Sequence, residues 1–257
     1  MIVKVSREQA AARRQQHVTP NGATTFIETY MGTNAMELAA QGIPNNGVTE
    51  PATPYPMAYR VEQAPDCTIE AHYHQVDQFQ IFIGGVGRIG THAVQGVTVH
   101  YAGAHSPYGP IVSGPEGVQY VTLRRSWDPG ARWMPGAAAA LREVSGRKHL
   151  TWTSQPLDRC PVEQLVEIKG VSFTELITSQ EGAIGAWLVR AGPGAAVRAN
   201  LAARAEQFWY VLSGGVLAEA SKLGTGACIF VSGDQEPFEL SAAAEGVELV
   251  LLQFSPA

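Results

Sequence analysis

The feature that most constrains this chain is that it repeats itself once. The pattern Gln78-Phe79-Gln80-Ile81-Phe82-Ile83-Gly84-Gly85 recurs as Gln207-Phe208-Trp209-Tyr210-Val211-Leu212-Ser213-Gly214, each residue 129 positions further on. Glu116-Gly117-Val118 returns at the same interval as Glu245-Gly246-Val247. Between them, Gly96, Gly103, Pro107 and Tyr108 meet Gly226, Gly233, Pro237 and Phe238 at an interval one residue longer, so a single gap reconciles the alignment. A matched glycine or proline marks a backbone position where turn geometry restricts the residue type, and chance rarely keeps several in phase. The repeated content is strand, turn, strand. Its apolar runs are short, rich in Ile, Val, Phe and Tyr, and end in glycine. Two copies of an all-β unit are therefore expected.

The spread of the 27 glycines and 16 prolines along the chain suits many short elements joined by turns. Residues 126–164 interrupt the repeat. SWDPGARWMPG is turn-rich, and Ala137 to Val144 reads as a short helix ended by Ser145-Gly146. The expected organisation is a first unit over 1–125, a helical linker over 126–164 and a second unit over 165–257. In the first 50 residues the signals are an opening helix, a strand near Thr24 to Tyr30 and a loop at Gly42 to Gly47.

With a net charge of −5 and no basic run, the chain lacks the clustered Lys and Arg that phosphate binding needs, and no nucleic-acid partner is expected. Cys67, Cys160 and Cys228 are scattered and odd in number, which suggests neither a disulfide framework nor a zinc knuckle. The start lacks an apolar stretch of signal-peptide length and no segment approaches membrane-span length. The expectation is a soluble cytoplasmic protein with no membrane partner.

His72-Tyr73-His74 is the sharpest local feature. On a strand, residues i and i+2 share a face, so both imidazoles can reach one metal ion. The stretch His72 to Gly85 resembles the first motif of the cupin superfamily: His-x-His, a short spacer, Glu, six residues, Gly. Here Gln78 stands at the Glu position. The second cupin motif is only loosely echoed by Gly96 to Tyr108, where His105 falls one residue early and the final Asn is missing. The resemblance covers about residues 59–125, and 185–255 through the repeat.

This resemblance implies two tandem double-stranded β-helix (jelly-roll) barrels, a bicupin, with ligands on inward-facing strands. It implies that His72, His74 and His105 hold a divalent transition metal, Fe, Ni, Cu, Mn or Zn, with His100 competing for the third place. Gln78, neutral where the family has a carboxylate, would be a weak ligand or a water-orienting group, or would merely tile the wall. Tyr108 would donate a proton, although its counterpart Phe238 keeps only the ring. In the second copy the same intervals put Leu201, Ala203 and Gln235 at the histidine positions, so that barrel should be metal-free and structural. Trp209 and Tyr210 should pack in its core. Arg124 and Arg125 end an apolar strand; a solvated pair is expected, while an inward arginine would face an anionic substrate. His17, His92 and His149 are given no role.

The function implied first is a metal-dependent dioxygenase cleaving or oxidising a small anionic or chelating molecule in the first barrel. A non-catalytic small-molecule binder, or a metal-free isomerase or epimerase using a His–Tyr pair, are the alternatives. Tandem barrels of this kind are also expected to pair as homodimers through exposed sheet edges.

Overall fold

The structure is a computed structural model that describes residues 1–18, 22, 24–33, 37–38, 55–179, 183–198, 202–218, 221–235 and 238–256. It divides into two compact units, one of residues 10–157 and one of residues 1–9 together with 158–257. The sequence boundaries at 125 and 165 differ from this division. The turn-rich stretch after residue 125 belongs to the first unit, and the opening residues belong to the second. The reason is strand pairing. β1 (Ile2–Val5) adds to the edge of the second unit's sheet along β18 (Cys228–Val231). The opening helix is one short turn, α1 (Arg7–Ala11). The loop at Gly42 to Gly47 lies outside the described residues.

The first unit contains β2 (Arg14–Val18), β3 (Thr24–Met31), β4 (Met57–Gln63), β5 (Thr68–Ile69), β6 (His72–Tyr73), β7 (Gln78–Ile89), β8 (His92–Val94), β9 (Thr98–Ala102), β10 (Ile111–Arg124), β11 (Arg132–Trp133), α2 (Ala138–Arg142) and β12 (Thr151–Thr153). Its large antiparallel sheet runs β12-β9-β7-β10-β4-β3-β2, with β5 on β10 and β8 on β7, while β6 and β11 pair separately. The second unit holds α3 (Val162–Leu165), β13 (Val171–Thr178), β14 (Gly185–Ala191), β15 (Ala196–Arg198), β16 (Gln207–Ala218), β17 (Ser221–Gly224), β18 and β19 (Glu239–Gln253). Its sheet runs β1-β18-β16-β19-β14-β13, with β15 on β19 and β17 on β16. No helix among the described residues is long and apolar enough to cross a membrane.

The repeat acquires a physical cause at its glycines. Gly85 pairs with Val118, next to Gly117, where β7 and β10 shift register, and the two glycines have φ +73° and +75°. A Cβ on Gly85 would lie 2.1 Å from the Gly117 carbonyl oxygen. Gly214 and Gly246 reproduce the arrangement between β16 and β19, with φ +72° and +74° and a 2.2 Å clash. Only glycine tolerates both the left-handed backbone and the close approach.

The two interiors diverge in filling. On β7 and β10 the inward row includes Gln80, Tyr120, Thr122 and Arg124, which line a cavity of about 300 Å³. The repeat places Trp209, Leu249, Leu251 and Gln253 at those positions. Trp209, Leu249 and Leu251 are fully buried in one apolar core, with Phe238 packed against it. Trp209 and Leu251 are larger than the Gln80 and Thr122 they replace, and with Leu249 they pack an apolar interior in the second unit, as expected for Trp209. Cys228, on β18, is buried as well.

Candidate functional site

β6 is a two-residue strand held on both sides. His72 pairs with Trp133 of β11 and exchanges both backbone hydrogen bonds with Tyr108 (3.1 and 3.0 Å). Alternation along the chain then turns His72 and His74 to the same side, away from Tyr73. Both are buried, and their rings stand edge to face with centroids 5.2 Å apart. β10 delivers Arg124 to the same region, because its register sets Arg124 opposite Gln78 at the start of β7. The chain then turns, and Asp128 comes in beneath.

The hydrogen bonds around these side chains fix their protonation. His72 Nδ1 lies 2.7 Å from the Glu70 carbonyl oxygen, which can only accept, so Nδ1 carries the proton. His72 Nε2 therefore accepts from the Tyr108 hydroxyl at 2.7 Å. His74 Nδ1 donates to Asp128 Oδ2 at 2.6 Å, and its Nε2 accepts from an Arg124 terminal nitrogen at 2.9 Å. Arg124 also donates twice to Gln78 Oε1, at 3.1 and 2.9 Å. Asp128 is completed by the backbone N–H groups of Gln75 (3.0 Å) and Gly130 (2.8 Å). Arg124 is only 2% exposed, which overturns the expectation of a solvated pair there.

Burial sets the titration of the site. It holds His72 down at about 3, reinforced by His74, and holds His100 at about 3 as well. His74 is lowered by burial and by the Arg124 cation, against the pull of Asp128. Burial alone would raise Asp128, but His74 and Arg124 outweigh it and keep the carboxyl far below its usual range. Burial pushes the Tyr108 hydroxyl well up. A histidine depressed in the folded state contributes nothing unfavourable above 6.5; below that, the unfolded chain takes up a proton that the folded one refuses. Stability should therefore fall as pH drops from 6.5 toward 3, by about 2 kcal/mol at pH 5 for each of His72 and His100. Urea unfolding at pH 7 and pH 5 checks this, and equal stabilities would mean that these imidazoles charge while folded.

The residues present do not fit a divalent metal in this arrangement. The Nε2 atoms of His72 and His74 and Oε1 of Gln78, the atoms that would face an ion, all already accept hydrogen bonds. Two of the three face a permanent cation, and a buried guanidinium repels a second one. His105 does not join them. It adopts a left-handed backbone (φ 58°) and its ring lies 5.9 Å from Tyr73, in an outer groove with Gln75 and Arg132. Tyr73 points opposite to its histidine neighbours, and the one-residue offset in the second motif sends His105 with it. His100 is buried on β9, with Nδ1 2.9 Å from Thr153 Oγ1 and its ring 5.3 Å from Tyr108. Among the described residues, no group of three or more His, Cys, Asp or Glu side chains could hold a metal ion.

Three residues of the site were missed or misjudged from sequence. His17 is on strand β2 of the first sheet and lines the cavity. Asp128 sits in a stretch read as linker. Arg124 did leave a signal: the repeat pairs it with Gln253, whose amide bonds the Ala202 N–H and the Ala183 carbonyl. A charge present in one copy alone, at the residue opposite a shared glutamine, distinguishes the two barrels. Leu201 lies outside the described residues.

Two such barrels in tandem, with polar side chains from inward-facing strands gathered in one of them, are the bicupin fold. Solved structures with this architecture match nearly the whole chain. A Nostoc punctiforme protein provisionally assigned as a dioxygenase superposes with a TM-score of 0.59 at 12% identity, over 99% of this chain and 83% of its own. The Escherichia coli pirin in complex with nickel(II) does so at 0.56 and 10%, over 100% of both chains. The formate complex of Lactobacillus farciminis oxalate decarboxylase gives 0.56 and 13%, over 99% and 86%. No protein-family model and no curated protein sequence matches the chain.

Proposed function

We propose that the first barrel is a metal-independent site for a small organic anion, with Arg124 as its fixed cation and the Tyr108–His72 pair as its proton store. The observation that carries this is the Arg124 guanidinium donating to both His74 Nε2 and Gln78 Oε1. It occupies two of the donors that the resemblance assigned to a metal, His74 and Gln78. Its remaining terminal nitrogen, NH1, is 3.9 Å from Asp128, beyond hydrogen-bond length, and Arg124 lines the cavity. Asp128 is already satisfied by three N–H groups, whereas a ligand anion would join Tyr59, whose ring lies 5.4 Å from the guanidinium carbon, as a partner of the arginine. Arg132, whose charge also reaches His74, adds to the positive side.

Met57, Val61, Ile69 and Tyr120 form an apolar wall facing these polar groups. The combination suits a metabolite-sized molecule with a charged head and an apolar body. In the free protein His72 is a weak base. A bound anion raises the proton affinity of both His72 and Tyr108, so a proton leaving the ligand can pass to Tyr108 Oη as the hydroxyl proton passes on to His72 Nε2. That is the proton handling an isomerase or epimerase requires. The formate captured by an oxalate decarboxylase of the same fold is in keeping with a carboxylate ligand.

A second reading, the metal-dependent dioxygenase, rests on two buried histidines from one strand and on the nickel(II) of a pirin with this fold. It requires Arg124 to withdraw and both Nε2 atoms to be released. Elemental analysis of protein purified without added metal decides between them. The metal-independent site should retain less than about a tenth of an equivalent of Fe, Ni, Cu, Mn or Zn, whereas a structured metal centre would hold close to one. A full equivalent would overturn the proposal.

A further inference from the structure

Among the buried polar atoms without a hydrogen-bond partner in the described residues are one on Gln80, which lines the cavity, and one on His100, whose ring lies 5.3 Å from that of the cavity residue Tyr108; the two residues pair across adjacent strands. Gln80 on β7 lies opposite His100 on β9. Gln80 Oε1 and His100 Nε2 are both unpartnered, and the residues are 2% and 4% exposed. Leaving such atoms empty-handed in an apolar setting costs stability, so their presence needs a reason. In the second barrel the position of Gln80 is Trp209, which fills the interior and donates its own N–H to Gln207 at 3.0 Å. The unpaired oxygen is thus particular to the copy that has a cavity and a charged arginine.

We propose that Gln80 and His100 form a hydroxyl seat, and that the ligand of this site is a hydroxy-carboxylate rather than a simple carboxylate. This rests on the reading of Arg124 as the anion's partner. An amide oxygen accepts only, so the ligand must present a donor to Gln80. His100 Nδ1 lies 2.9 Å from Thr153 Oγ1, and in the tautomer in which Thr153 donates, Nε2 carries the proton and can give it to the same ligand oxygen. A hydroxyl both gives and receives, as this pair asks. An ammonium group would instead meet the field of Arg124. The carboxylate goes to Arg124 and the hydroxyl to the Gln80–His100 pair, with the body against the apolar wall.

Isothermal titration calorimetry with three matched probes tests this: mandelate, phenylacetate, which lacks the hydroxyl, and 1-phenyl-1,2-ethanediol, which lacks the carboxylate. Mandelate should bind about tenfold or more tighter than phenylacetate, because only it satisfies the buried acceptor. In Gln80→Met the two acids should come to bind alike. Equal affinities of the two acids for the unmodified protein would overturn the hydroxyl seat and leave the anion site standing. A preference for mandelate that survives Gln80→Met would also overturn it. Binding of the diol as tight as that of mandelate, or no binding of either acid, would overturn the anion site itself.

Discussion

Arg124→Met should lower the affinity of the first barrel for small carboxylates by about two orders of magnitude, the cost of removing one partner of a desolvated charge pair. Methionine keeps most of the side-chain length and removes the charge and all five N–H donors. The variant should also be less stable by about 3 kcal/mol, because Gln78 Oε1 and His74 Nε2 lose their donor and Asp128 loses its countercharge. Thermal melts with and without a carboxylate separate the two effects. The unmodified protein should melt higher as ligand is added, whereas the variant should melt lower and show no ligand-dependent rise. A variant that keeps the full ligand response would show that the anion does not reach Arg124.

Trp209→Ala should destabilise the second unit by about 3–5 kcal/mol, the range for removing a buried tryptophan. Trp209 is fully buried among Leu249, Leu251 and Phe238, and its N–H satisfies Gln207 Oε1. The substitution opens a void at the point where the first barrel has its cavity, without the polar groups that would make the void useful. Calorimetric unfolding should show the loss, with carboxylate binding to the first barrel retained in the folded protein. A loss under about 1 kcal/mol would mean that the interior collapses around the gap, contrary to its tight packing.

Much of the fold was legible before any coordinates. The glycines at 85, 117, 214 and 246 announced themselves by recurring at one interval, because a left-handed, closely approached backbone admits no other residue. The pairing of His72 and His74 on one face followed from strand alternation alone. The boundaries were not legible, since β1 joins a strand more than 200 residues away and such non-local pairing has no local signature. Nor was the third-ligand position, where a one-residue offset and a left-handed turn carry His105 to the other side of β6.

The sequence by itself determined that the chain is two versions of one β unit, that the second lacks the histidines of the first, and that a glutamine replaces the acid of the motif. Those are statements about periodicity and residue type, which the linear order contains. Only the tertiary structure decided what that glutamine is for. Register across β7 and β10 sets Gln78 against Arg124, and the turn after β10 brings Asp128 under His74. A neutral amide beside a guanidinium makes sense once the two are seen to touch, and that contact joins residues 46 positions apart.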